Sequence, residues 1–79
     1  MDRQNQIRQV IAKVNGKAVD VDVEESLFES GLLDSFALVT LIAGLEEEFA
    51  IKIPDSDLIP QRFDSISRIE HYLAGFLDN

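Results

Sequence analysis

The hydroxyl best placed for chemistry is that of Ser35, in Gly31-Leu32-Leu33-Asp34-Ser35-Phe36. Asp34 has the side chain of a helix N-cap, since its carboxylate can accept the otherwise unpaired N–H groups of a first turn. Ser35 then stands one position inside the helix, with its hydroxyl exposed and outward-pointing N–H groups beside it. Such a helix start favours a negative group through both the donors and the macrodipole. A phosphoryl group attached to Ser35 would be well received there. Asp34-Ser35 could equally be capping chemistry alone. Asp64-Ser65 repeats the dipeptide before a second apolar helix, so the pattern leaves the choice open.

The remaining reactive groups do not assemble into a catalytic set. His71 is the sole histidine. It has no second ligand at metal-binding spacing and reads as a surface or partly buried structural residue. Asp20-Val21-Asp22-Val23-Glu24 resembles the start of a calcium loop, but the sixth position falls on Glu25 where a glycine is required. Glu46, Glu47 and Glu48 read as a solvated helix face before they read as a metal site or acid–base pair. There is no Cys, no phosphate-cradling glycine loop and no nucleophile elbow. No catalytic residue and no metal ligand is assigned.

Hydrophobic spacing supplies the elements that must hold Ser35. Ile7, Val10, Ile11 and Val14 fall at i, i+3, i+4 and i+7, the stripe of an amphipathic helix, which Asn15-Gly16 stops. Val19, Val21 and Val23 alternate with acids as a half-buried strand would, but no second strand exists to pair with them. Residues 17–33 are therefore read as an extended loop tucking the valines, Leu27, Phe28, Leu32 and Leu33 toward the core. A loop that long is either functional or a mistaken assignment.

The second helix starts near Asp34 with the stripe Leu38, Leu41, Ile42, Leu45 and Phe49, and Leu33 can staple onto Leu38. Asp55 to Ile59 have room for one short helical turn between Pro54 and Pro60. A last helix begins at Asp64 or Ser65, with Ile66, Ile69, Tyr72, Leu73, Phe76 and Leu77 as its buried face. The expected fold is all-α: a small bundle of three longer helices and one short helix, with a long loop between helices 1 and 2.

At 79 residues and 8.9 kDa there is room for one domain, and residues 1–79 read as a single unit without repeats or linkers. Acids outnumber Lys and Arg by 15 to 7, a net charge of −8 that repels nucleic acid. Residues 20–57 carry 11 acids against Lys52 alone, either a surface for basic partners or a solvated one. The nearly apolar run from Phe36 to Leu45 is about half the ~20 residues of a membrane helix, so no membrane insertion is expected. The polar N-terminus and lack of Cys predict a cytoplasmic protein, and a monomer is expected. Phe36, Val39, Thr40 and Ala43 lie opposite the Leu38–Leu41–Leu45 stripe, so the second helix is apolar on two sides. That second side is either extra core or a partner surface.

Gly31-Leu32-Leu33-Asp34-Ser35-Phe36 resembles the attachment motif of acyl and peptidyl carrier proteins, which bear a phosphopantetheine arm. Leu45-Glu46-Glu47-Glu48-Phe49-Ala50-Ile51-Lys52-Ile53-Pro54 is similar to the segment closing that family's second helix. With Leu27-Phe28-Glu29-Ser30 the likeness spans nearly the whole chain. It implies that Ser35, next to Asp34, takes phosphopantetheine from coenzyme A, while Asp64-Ser65 is a cap. It also implies the long loop, a carrier without catalytic groups of its own, and acyl or aminoacyl cargo held as a thioester. Implied partners are a phosphopantetheinyl transferase, a loading ligase or transacylase, and downstream acyl-using enzymes. The competing reading is an unmodified acidic helical interaction module.

Fatty-acid carriers usually place acids in the first half of the second helix, where Phe36-Ala37-Leu38-Val39-Thr40 has none. Phe36 also replaces their more usual Leu or Met. Partner contacts are thus expected at an apolar patch of Phe36, Val39, Thr40 and Ala43, with charges further along at Glu46, Glu47 and Glu48. Pro60-Gln61-Arg62-Phe63-Asp64-Ser65-Ile66 is similar to stand-alone carriers of specialised pathways, including D-alanyl and aminoacyl carriers.

Overall fold

Asp2 opens the first helix, α1 (Arg3–Asn15), by accepting the Gln4 N–H on its side chain. Gly16 closes it in the left-handed region, donating its own N–H to the Ala12 carbonyl. The computed structural model describes residues 2–16 and 20–78. It contains two further α-helices, α2 (Ser35–Phe49) and α3 (Ile66–Leu77), and no strand among the described residues. The chain is all-helical, as the spacing of its apolar residues predicts.

The stripes meet as expected. Ile7, Val10 and Ile11 of α1 pack with Leu38, Leu41, Ile42 and Leu45 of α2 and Ile66, Ile69 and Leu73 of α3. Leu27, Leu33, Ile53 and Phe63 complete the core from the connections. α1 packs against both α2 and α3. Where Gly44 of α2 faces α1, a Cβ on it would stand 2.8 Å from Val10 Cγ1. Val10 is buried and β-branched, so it cannot rotate away cheaply.

Gly44→Ala should therefore overpack the interface at a cost of about 1–3 kcal/mol, partly offset by about 1 kcal/mol of helix propensity. In a Val10→Ala background the overlap is gone and only the propensity gain remains, so the same change should stabilise. Denaturant midpoints of the four proteins of this cycle check the reversal of sign.

One expectation is extended and one is corrected. The short turn expected between Pro54 and Pro60 is the 3-10 turn Asp55–Asp57, and a separate second one, Pro60–Phe63, follows it. The Pro60 ring forces the preceding residue out of helical geometry, and Ile59 is extended at φ −107° and ψ 119°. Phe76 and Leu77, assigned to the buried face of α3, are exposed. Arg3 pairs with Asp78 at 2.9 Å and Gln4 donates to Glu70, so the first turn of α1 runs beside α3 from its second turn to its C-terminal cap. That turn reads Arg3-Gln4-Asn5-Gln6 and offers nothing apolar to cover them.

The expected interior positions of the first loop hold where described. Leu27 and Leu33 are buried, while Val21, Val23, Phe28 and Leu32 pack partly against the core. Val19 lies outside the described residues. The valines have no strand partner, yet the Val23 carbonyl is satisfied by the Ser67 N–H at 2.8 Å. Asp64 clamps the loop further on. Its carbonyl accepts the Leu27 N–H, and its Oδ1 accepts the Ser26 hydroxyl at 2.7 Å and the Phe28 N–H.

The 3-10 turns are fastened to α3 by Tyr72, whose hydroxyl donates to Asp57 at 2.7 Å and whose ring meets Phe63 and Phe76 edge-on. Burial, and then the hydrogen bond to Asp57, hold the Tyr72 phenol well above its ordinary value. The fold prefers the protonated phenol, so this contribution is complete below the ordinary value of about 10 and is lost as pH rises beyond it. Urea midpoints at about pH 9 and about pH 11 should show the decline, and Tyr72→Phe should flatten it.

Candidate functional site

Ser35 is the first residue of α2, and the turn before it is built to present it. Gly31 turns the chain at φ 85°, a conformation L side chains rarely adopt, and its N–H bonds the Phe28 carbonyl. The Leu33 N–H then bonds the Leu27 carbonyl, and Leu33 and Leu38 are both buried on either side of the cap. Asp34, extended at φ −126°, accepts the Ala37 N–H on Oδ1 at 2.7 Å. Its carboxylate is thereby engaged as a cap. The Ser35 and Phe36 N–H groups come too early in the helix for an intrahelical acceptor, and the Ser35 side chain is exposed.

The repeated dipeptide behaves differently. Ser65 is itself the cap of α3, accepts the Arg68 N–H and is 3% exposed. Ser30 is exposed but donates to the Leu27 carbonyl. One Asp-Ser pair thus offers its hydroxyl to solvent and the other hides it. The two differ by one position in cap register, which sequence alone does not reveal.

Along α2, Ser35, Val39, Ala43 and Glu46 follow at spacings of four, four and three, a single stripe down the helix. Phe36 is 87% and Val39 66% exposed, with Thr40 and Ala43 also exposed beside them. The second apolar side of the helix is therefore surface, not extra core. A shallow cleft of about 260 Å³ flanks the stripe, walled by Val39, Ile42 and Ala43 on one side and Ile53 and Leu58 on the other. Glu47 is exposed. Glu46 is half-buried and accepts the Ile53 N–H at 2.8 Å, so it also braces the chain after α2. α2 carries no cation, and its charge is concentrated in Glu46, Glu47 and Glu48.

Nothing here resembles a nucleophile with its base. His71 is exposed on α3, among other groups than Ser35. Among the described residues no three metal-ligating side chains gather, and no helix is long and apolar enough to cross a membrane. A small helical bundle that displays one serine at a helix start, above an apolar strip, belongs to the class of proteins that other proteins read.

The comparisons give that class a family. Residues 5–73 match the family model described as the phosphopantetheine attachment site. An aminoacyl carrier protein of Agrobacterium fabrum is 40% identical over 75 residues, covering 91% of this chain and 89% of that one. A D-alanyl carrier protein of Bacillus pumilus is 32% identical over 94% of this chain and 96% of its own. A chain in the crystal structure of the Bradyrhizobium japonicum glycine:[carrier protein] ligase complexed with its cognate carrier protein and a glycyl adenylate analogue superposes with TM-score 0.77. It is 32% identical and covers 92% of this chain and 96% of that chain. The chain belongs to the phosphopantetheine-binding carrier-protein family, and its role is to carry rather than to catalyse.

Proposed function

We propose that Ser35 is the residue that takes phosphopantetheine, and that the cargo is an amino acid delivered to a specialised biosynthetic pathway. The observation that carries this is the contrast between the exposed Ser35 and the buried Ser65. The residues present fit the group. Ser35 Oγ is open to an incoming transferase, and a phosphodiester there would lie against the unpaired first-turn N–H groups at the positive end of α2. Asp34 keeps that end in register. Once attached, the arm supplies the thiol on which cargo rides as a thioester, a group this Cys-free chain lacks. The arm leaves Ser35 at the head of the Val39–Ala43–Glu46 stripe, so an enzyme reaching for its end meets that stripe first.

The relatives that are aminoacyl and D-alanyl carriers, and the neighbour bound to a glycine-activating ligase, support an aminoacyl ligase as the loading partner. A phosphopantetheinyl transferase precedes it, and cargo-using enzymes follow. The 3-10 turns stand in the place of the family's short third helix. The Cys-free composition suits a cytoplasmic monomer acting as one domain over residues 1–79.

The docking surface divides its labour. Phe36, Val39, Thr40 and Ala43 supply apolar contact, while Glu46 and Glu47 supply charge toward a basic partner. A buried apolar anchor mainly governs dissociation, whereas exposed charges govern encounter. With holo protein and an aminoacyl ligase, Phe36→Ala or Val39→Ala should raise the dissociation rate. Glu47→Gln should slow association by an amount that fades in high salt. A fatty-acid elongation enzyme, built to meet acids beside the serine, should turn this carrier over poorly. Turnover equal to that of a fatty-acid carrier would overturn the specialised reading.

A further inference from the structure

A second cleft is remote from this stripe. About 500 Å³ in size, it is lined by Arg62, Ser67, Arg68, His71, Tyr72 and Glu24, with no residue of α2. A chain with seven Lys and Arg against 15 acids thus sets two of those cations and its sole histidine around one depression. Arg62 lies over the Tyr72 ring at 5.9 Å and makes only a long ion pair of 3.5 Å with Asp57. Arg68 gives one Nη1 hydrogen bond, at 3.3 Å, to the Gln61 carbonyl. Both guanidinium groups keep donors turned to solvent.

A second observation concerns the backbone. Arg68 stands in the first turn of α3, where the helix end is already positive, and no acid occupies that turn. A cation there is unfavourable for the isolated helix. The nearest acid in sequence, Glu70, accepts the Gln4 side-chain amide, and Asp64, four residues before Arg68, has its carboxylate engaged by Ser26 and Phe28. Local rules broken without a compensating gain in the fold mark functional positions. Exposed walls do not enclose a small ligand in the way a metabolite site does. They suit a segment laid across them from outside.

We infer that the outer face of α3, with the Pro60–Phe63 turn, is a second docking surface that receives an acidic segment of a partner protein. The charge of α2 forbids that segment its own surface, so the two faces accept opposite partners. A carrier held through α3 keeps α2 and Ser35 available to another enzyme, and the local concentration of the cargo rises for whichever protein holds it. Glu24 is the one acid lining the cleft and weakens this attraction.

The test is an NMR titration of the isotopically labelled full chain with hexaglutamate at low salt. Shift changes should cluster on Arg62, Ser67, Arg68, His71 and Glu24. Arg68→Gln should weaken binding roughly two- to five-fold, the range for one exposed charge pair, and Arg62→Gln/Arg68→Gln should remove it. Glu24→Gln should tighten it, a gain that a misfolded variant cannot imitate. Shift changes centred on Arg8 and Lys13 of α1, or no response to Glu24→Gln, would overturn the assignment. So would displacement of the peptide by inorganic phosphate at equal ionic strength, which would mark an adventitious ion only.

Discussion

Ser35→Ala should abolish modification altogether: incubated with coenzyme A and a broad-specificity phosphopantetheinyl transferase, the variant should keep its unmodified mass. Ser30→Ala and Ser65→Ala should both be modified, with the label mapping to the peptide that contains Ser35. The chemistry is all-or-none because one oxygen forms the bond, and no neighbouring hydroxyl can replace it. Ser65 is buried in its own cap, and Ser30 lies beyond the Gly31 turn with its hydroxyl on the Leu27 carbonyl. The fold should barely notice Ser35→Ala, since Asp34 and not Ser35 caps α2. Ser65→Ala, by contrast, removes a cap and should cost about 1 kcal/mol. Activity and stability therefore separate in opposite senses at the two Asp-Ser pairs. Intact-mass and denaturation measurements on the same preparations check both, and a modified Ser35→Ala protein would overturn the assignment.

What the sequence made legible were periodic, local features. The stripes of α1 and α2 follow from 3.6-residue periodicity, and Asp34 follows from cap chemistry, so both were readable without a structure. The exposed side of α2 was readable as an alternative, because a helix apolar all round has only two fates. What was not readable depends on pairs far apart in the chain. Asp64 looked like half of a second Asp-Ser cap, yet it clamps Ser26, Leu27 and Phe28 across 36 to 38 residues. Glu46 looked like a solvated acid, yet it holds the Ile53 N–H. Arg68 and His71 share one face of α3 at i, i+3, but only the fold of Pro60–Phe63 onto α3 brings Arg62 beside them. The ends of α3 misled for the same reason. Its apolar periodicity runs through Phe76 and Leu77, but burial needs an apolar partner, and the first turn of α1 is polar.

Phe63 is the costliest omission, and it sets the largest expected loss of stability. No helical stripe contains it, because it follows Pro60 in an irregular stretch, yet it is completely buried. The turn that carries it packs against both α2 and α3, so its ring fills the space between two helices that lack a broad interface of their own. Tyr72 meets that ring edge-on at 5.1 Å and is fixed in turn by Asp57. Phe63→Ala should therefore cost about 3–5 kcal/mol, the range for emptying a buried aromatic site. For a domain of this size that is a large part of the whole stability. Phe36→Ala is the internal control. It deletes the same atoms from a residue 87% exposed, and surface changes of that kind fall within about 0.5 kcal/mol. The two variants should then exchange places in a loading assay run well below the unfolding temperature of Phe63→Ala. Phe36→Ala, fully folded, should release the aminoacyl ligase faster. Phe63→Ala should lose stability while its folded fraction still binds through an intact α2 strip. Equal unfolding midpoints for the two would show that the turn does not wedge α2 from α3. Equal ligase dissociation rates would show that the exposed phenylalanine is not an anchor.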